Sequence, residues 1–144
     1  MNHKSRKNFI VPVILIGLAM VSSLFFSTAA HAINWTPTYE QGFAKSKELN
    51  KPLMLVFYTD ACGYCKKLER ETLSDPRVEK ILKGFVCVHI NCKDRPELQR
   101  KYRIRGVPLV LFISADGKKD WLVGFRTADK FIKELNQFIG YMNR

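Results

Sequence analysis

The chain has 144 residues, of which 47% are hydrophobic and 26% charged, an ordinary globular mix that excludes a disordered, collagen-like or multi-span membrane protein. Lys and Arg outnumber Asp and Glu by 24 to 13, and Lys4, Arg6 and Lys7 lie in the first 32 residues, which contain no acid, leaving +8 on residues 33–144. Such an excess suits an acidic partner, nucleic acid or an anionic membrane surface, but the plainer expectation is a basic solvated surface with no nucleic-acid partner.

Met1–Asn8 holds the three cations, Phe9–Phe26 is 18 almost wholly apolar residues, and Ser27–Ala32 is small and polar, ending Ala30-His31-Ala32. This is the order of a secretory signal, with cleavage expected after Ala32. The alternative is an uncleaved anchor, because 18 apolar residues reach the lower limit for spanning a bilayer. Pro12, Gly17, Ser22 and Ser23 weaken that run as a firm helix. Both readings export residues 33–144, as a monomeric domain, to a periplasmic or otherwise extracytoplasmic compartment where disulfides persist.

In chain order, Thr36 is expected to cap a helix with Pro37 at its first position, running to about Leu49. Leu53–Tyr58 is a continuous apolar run of strand length, the pattern of a strand buried on both faces. Thr59-Asp60-Ala61 turns the chain, and Cys62 begins a helix to about Leu73. Ser74-Asp75-Pro76 restarts it, with Val78, Ile81 and Leu82 inward. Phe85–Asn91 reads as a second strand, Pro96–Tyr102 as a short helix, Arg103–Gly106 as a turn and Leu109–Ile113 as a third strand. The Asp116-Gly117 pair signals a hairpin to an antiparallel strand over Trp121–Gly124. Thr127 then caps a last helix to about Ile139, with Phe131, Ile132, Leu135, Phe138 and Ile139 on one side. Trp121, Phe125 and the aromatic residues of that helix are expected in the core or at its edge. The fold class is α/β, a central mixed sheet flanked by helices.

Cys62-Gly63-Tyr64-Cys65 follows a buried strand and opens a helix. That spacing puts two sulfurs on one helical turn, close enough for a Cys62–Cys65 disulfide with little strain. At the helix start Cys62 meets unpaired N–H groups that favour thiolate, which suits it to act as the nucleophile. Cys65, one turn in, would resolve a mixed disulfide. A permanent structural disulfide and half of a zinc site are the alternatives. No other C-x-x-C or closely spaced His pair completes a zinc set, so neither a metal nor a cofactor is expected. No phosphate-binding glycine loop, Ser-His-Asp set or nucleotide motif is present.

With Leu55–Lys66 spanning strand, loop and C-x-x-C, and Lys101-Tyr102-Arg103-Ile104-Arg105-Gly106-Val107-Pro108 following, the chain resembles the thioredoxin superfamily over nearly all of residues 33–144. Lys51–Leu55 and Glu69–Val78 look most like the C-terminal periplasmic domain of DsbD and its single-domain relatives. The resemblance implies a thioredoxin-like fold and a thiol–disulfide oxidoreductase acting as a reductant on exported protein disulfides, with a membrane thiol as a candidate electron donor. Isomerase, oxidant and non-catalytic binding module are the rival readings. It also implies a cis Val107-Pro108 bond beside the disulfide. Val107 would then offer its backbone to a substrate chain, and Gly63 and Tyr64 would complete that surface.

Two positions depart from the family: Ala61 stands where it has Trp, and Val56 where it has a buried Asp credited with proton transfer to the inner cysteine. Glu69 and His89 are the candidate substitutes. Glu69 lies four residues after Cys65 and seven after Cys62, on the same helix face, and matches a Glu of the DsbD-type domain. His89 falls where thioredoxin has a Lys near its active site, and an imidazole moves protons near neutral pH. Cys87 and Cys92 are expected as free or buried thiols, since five extended residues span about 16 Å. A second redox pair and a link to another chain are the alternatives. Lys66 and Lys67 read as solvated, and Arg103 and Arg105 flank the proline loop, where they can bias substrate choice.

Overall fold

The apolar run Leu53–Tyr58 forms strand β1 and is buried along almost all of its length, because both of its faces are covered. The computed structural model describes residues 32–144; the candidate export signal, apart from Ala32, lies outside the described residues. Within them, α1 (Tyr39–Glu48), β1, α2 (Gly63–Leu68), α3 (Pro76–Leu82), β2 (Val86–Asn91), α4 (Pro96–Lys101), β3 (Leu109–Ile113), β4 (Lys119–Val123) and α5 (Ala128–Met142) follow in turn. No helix among the described residues is long and apolar enough to cross a membrane.

The strands lie in the order β2-β1-β3-β4. β1 and β2 run parallel, whereas β3 is antiparallel to both β1 and β4, the mixed sheet expected. Alternation along the strands divides the core in two. Met54, Val56, Cys87, Val110 and Phe112 face Leu68, Val78, Leu82, Phe131, Leu135 and Phe138 of α2, α3 and α5. On the other face Leu55, Phe57, Val88, Ile90 and Leu111 meet Tyr39 of α1 and Leu98 of α4. Arg77 joins α3 to α5, its guanidinium bridging Asp75 and Asp129 at 2.8 Å each.

Three local expectations need correction. Thr38, not Thr36, caps α1: it has extended backbone and its Oγ1 accepts the Gln41 N–H at 3.2 Å. Thr36 instead donates its N–H to the Cys87 carbonyl at 2.8 Å, and Trp35 forms a single parallel bridge with Cys87, so this segment stays extended along β2. The helix after Cys62 does not run evenly to Leu73. A π-turn over Glu69–Leu73 follows α2, with the Ser74 N–H reaching back five residues to the Glu69 carbonyl at 3.2 Å. The wider turn brings Thr72 fully inside beside Leu73, its hydroxyl donating to the Arg126 carbonyl.

The third correction concerns the hairpin. Gly117, at φ +91°, makes the turn that a side chain would strain, and β4 starts at Lys119 rather than Trp121. Trp121 is 45% exposed and not at the core. β4 is an edge strand, and α1 packs over β1 and β2, leaving Lys119, Trp121 and Val123 uncovered while Leu122 turns inward. Tyr141 at the end of α5 is likewise exposed. Thr127 takes the cap position of α5 as expected, its carbonyl accepting the Phe131 N–H at 2.9 Å, although its side chain makes no capping hydrogen bond.

Candidate active site

Thr59-Asp60-Ala61 carries the chain from the end of β1 into α2, and the Cys62 N–H closes this turn on the Thr59 carbonyl at 3.1 Å. Cys62 is the capping residue of α2. Its backbone is extended and its Sγ accepts the Cys65 N–H at 3.1 Å, the role usually taken by an oxygen. A sulfur held this way faces a partly positive donor, which favours negative charge on it. A disulfide joins Cys62 to Cys65 across a Cα separation of 5.2 Å. Cys62 is half-buried and Cys65 buried, so only the first sulfur is presented outward. Beside it Gly63 faces open space and Tyr64 is 66% exposed.

Behind the disulfide lies a pocket of about 420 Å³. Its inner wall is Val56, Cys65, Leu68 and Pro108, all buried. Asp60, Lys66 and Glu69 form the exposed side, with half-buried Tyr58, Thr59 and His89 between. The Val107–Pro108 peptide is cis. Pro108 is buried against the pocket, Val107 is half-buried, and the Pro108 carbonyl is taken by the Gly124 N–H at 2.8 Å.

His89 enters this pocket from β2, where it is the register partner of Val56 on β1. Its Nε2 lies 3.1 Å from Glu69 Oε2 at the start of the π-turn. The two residues that the sequence nominated separately are thus brought together, over the same cavity as Cys65. Trp35 stacks on the imidazole with ring centroids 3.5 Å apart, and Tyr58 meets it edge-on at 5.6 Å. Asp60 is tied to β2 by the Asn91 amide, which donates to its carboxylate at 3.2 and 3.3 Å. Trp35, Tyr58 and Asp60 were not nominated from the sequence. Tyr58 and Asp60 lay within the motif segment, but nothing local marks Trp35, which reaches His89 only through the fold.

Lys66 lines the pocket, whereas Lys67 lies over the Phe125 ring at 4.6 Å and 3.8 Å from Glu71, away from the sulfurs. Cys87 and Cys92 are free and buried, on opposite faces of the sheet. Burial pushes the Cys87 thiol up to about 12 and raises that of Cys92. Neither is placed to act as a nucleophile. Arg103 and Arg105 are exposed on the turn before Val107.

A family model of the thioredoxin-like domain matches residues 39–139. The chain belongs to the thioredoxin superfamily. The thiol:disulfide interchange protein DsbD of Salmonella typhi is 32% identical over an alignment of 148 residues, covering 88% of this chain but 26% of that protein. The chain therefore spans about a quarter of the length of the curated relatives it matches. The C-terminal domain of Neisseria meningitidis DsbD in its reduced form is 31% identical, with a TM-score of 0.57 over 65% of this chain and 87% of that domain. A thioredoxin from Thermus thermophilus is 29% identical, with a TM-score of 0.69 over 77% and 90%. Within the superfamily this is a DsbD-like domain, and it carries the C-x-x-C pair, joined as a disulfide, on the thioredoxin-like fold.

Proposed function

We propose that the chain is an exported thiol–disulfide reductant that opens disulfides in other exported proteins. The observation that carries this reading is the Cys62 sulfur at the start of α2, half-exposed and hydrogen-bonded by the Cys65 N–H. In the reduced protein the Cys62 thiolate attacks a substrate disulfide, forming one S–S bond and expelling one substrate thiolate. Cys65 then loses its proton and attacks Cys62 Sγ. This closes the Cys62–Cys65 bond and releases the second substrate thiol, with two electrons passed to the substrate. A thiol donor, membrane-bound in this reading, must return those electrons by exchange with the Cys62–Cys65 bond.

The proton of Cys65 has a short way out. Glu69 and His89 share the pocket with it and with each other's hydrogen-bonding atoms, so the pair is the acceptor we assign. Val107 and Pro108 form the substrate cradle beside the sulfurs, with Gly63 and Tyr64 as its outer surface. Gly63-Tyr64 supplies no cation to stabilise the reduced form further, which favours a low potential and hence reduction over oxidation. Residues 1–32 act as the export signal, removed after Ala32, and residues 33–144 are the thioredoxin-like domain that works as a monomer in the periplasm. Turbidimetric reduction of insulin by dithiothreitol tests the reading. The protein is expected to accelerate it and Cys62→Ser to abolish the acceleration. Failure of the unaltered protein to accelerate it would leave only a binding module.

A further inference from the structure

His89 stands near the open end of its strand with a third of its side chain exposed, a place where an imidazole would ordinarily sample several rotamers. Here it is held on three sides. Glu69 takes Nε2, Tyr58 meets one edge, and Trp35 covers a face at 3.5 Å and 23° between planes. Trp35 is itself fixed by backbone. It bridges to Cys87, two residues before His89, and the Thr36 N–H donates to the Cys87 carbonyl at 2.8 Å. Ile33 and Trp35 both pack against the core on that face. The charged and titratable groups that line the pocket with His89 are Glu69 from the π-turn, Tyr58 from β1, Asp60 and Lys66 from the loop and α2, and Cys65.

We infer that Trp35 is a positioning residue of the redox site: its indole sets the His89 ring against Glu69 and over the pocket of Cys65, so that the extended segment before α1 is part of the machinery. The inference rests on the proposal that His89 and Glu69 take the proton of Cys65. The indole acts in two ways. It removes rotamer freedom from the imidazole, and by closing one face of the ring it keeps Nε2 directed at the Glu69 carboxylate, 3.1 Å away. Loss of the ring should therefore loosen both the His89–Glu69 contact and the placement of the imidazole over the pocket of Cys65.

The chain has two tryptophans, so Trp121→Phe leaves Trp35 as the sole emitter. An indole stacked on an imidazole is quenched when that ring gains a proton. The emission should thus depend on pH while the stack is intact and become independent of it with His89→Leu. Single-turnover release of a mixed disulfide by Cys65 supplies the second readout. Trp35→Ala should slow it about tenfold and alter the shape of its pH profile, Trp35→Phe should keep most of the rate, and Trp35→Ala should add little to His89→Gln. A Trp35→Ala profile that overlays the unaltered one overturns the inference, as does emission that ignores pH in Trp121→Phe, a test that stands even if Trp35→Ala does not fold. If His89→Gln alone resolves at the full rate, the proton-transfer proposal fails and the positioning role with it. In that case the pH-dependent emission still identifies the stack.

Discussion

Cys65 and Cys87 are both buried, yet only one of them meets a cavity. Cys65 lines the pocket that Glu69 and His89 share, whereas Cys87 is closed in by the apolar core. Desolvation moves Cys87 from its ordinary value of 9.0 to about 12. Between those two pH values the unfolded chain, with the thiol ionised, binds fewer protons than the folded one, so stability falls as pH rises through the window and is unaffected below it. Denaturant midpoints should therefore drop between about pH 9 and 11 more steeply in the unaltered protein than in Cys87→Ala, and iodoacetamide should label Cys87 only on unfolding. Equal slopes would show that this thiol is not shielded. At this scale the sequence was informative about each residue singly: the C-x-x-C spacing named Cys62 and Cys65, and helix periodicity named Glu69. It could not show that Glu69 and His89 touch, because that contact joins a π-turn to a strand far along the chain. It gave no sign of Trp35 for the same reason.

The elements followed local chemistry where that chemistry was simple. β1 is an unbroken apolar run, α3 begins at Asp75-Pro76 and the hairpin turns at Asp116-Gly117, all legible as written. α1 was misread at its start because Thr36-Pro37 competes with Thr38 and its Gln41 three residues on, and the bridge from Trp35 to Cys87 decides between them. The π-turn has no local signature; it follows from burying Thr72 against the Arg126 carbonyl. Packing also explains a glycine in mid-helix. A Cβ on Gly42 would stand 2.3 Å from Cγ2 of Val88, so α1 lies close on β2 only because position 42 has no side chain. Gly42→Ala gains helix propensity of about 1 kcal/mol but overpacks a site where such clashes cost about 1–3 kcal/mol. Chemical denaturation should show a net loss of about 1 kcal/mol, partly recovered by adding Val88→Ala. An equal or higher midpoint for Gly42→Ala would mean that the helix is free to shift away.

For the whole molecule, the α/β order and the mixed sheet were readable because apolar runs, turns and a hairpin signal alternate along the chain, and a parallel β1–β2 pair needs the crossover that α2, the π-turn and α3 supply. The expectation for Trp121 failed because sequence does not say which strand becomes the uncovered edge. The architecture produces one arrangement: at the mouth of α2 a sulfur meets a backbone N–H, and behind it a second sulfur opens onto the pocket that Glu69 and His89 line. The pH dependence of thiolate absorbance in the fully reduced protein tests this most directly, since Cys87 stays protonated to about 12 and burial also raises Cys92. The signal below about pH 8 then belongs to the Cys62–Cys65 pair. A first inflection well below the ordinary thiol value of 9.0 is expected, lost in Cys62→Ser. A first inflection at or above 9.0 would contradict a stabilised Cys62 thiolate.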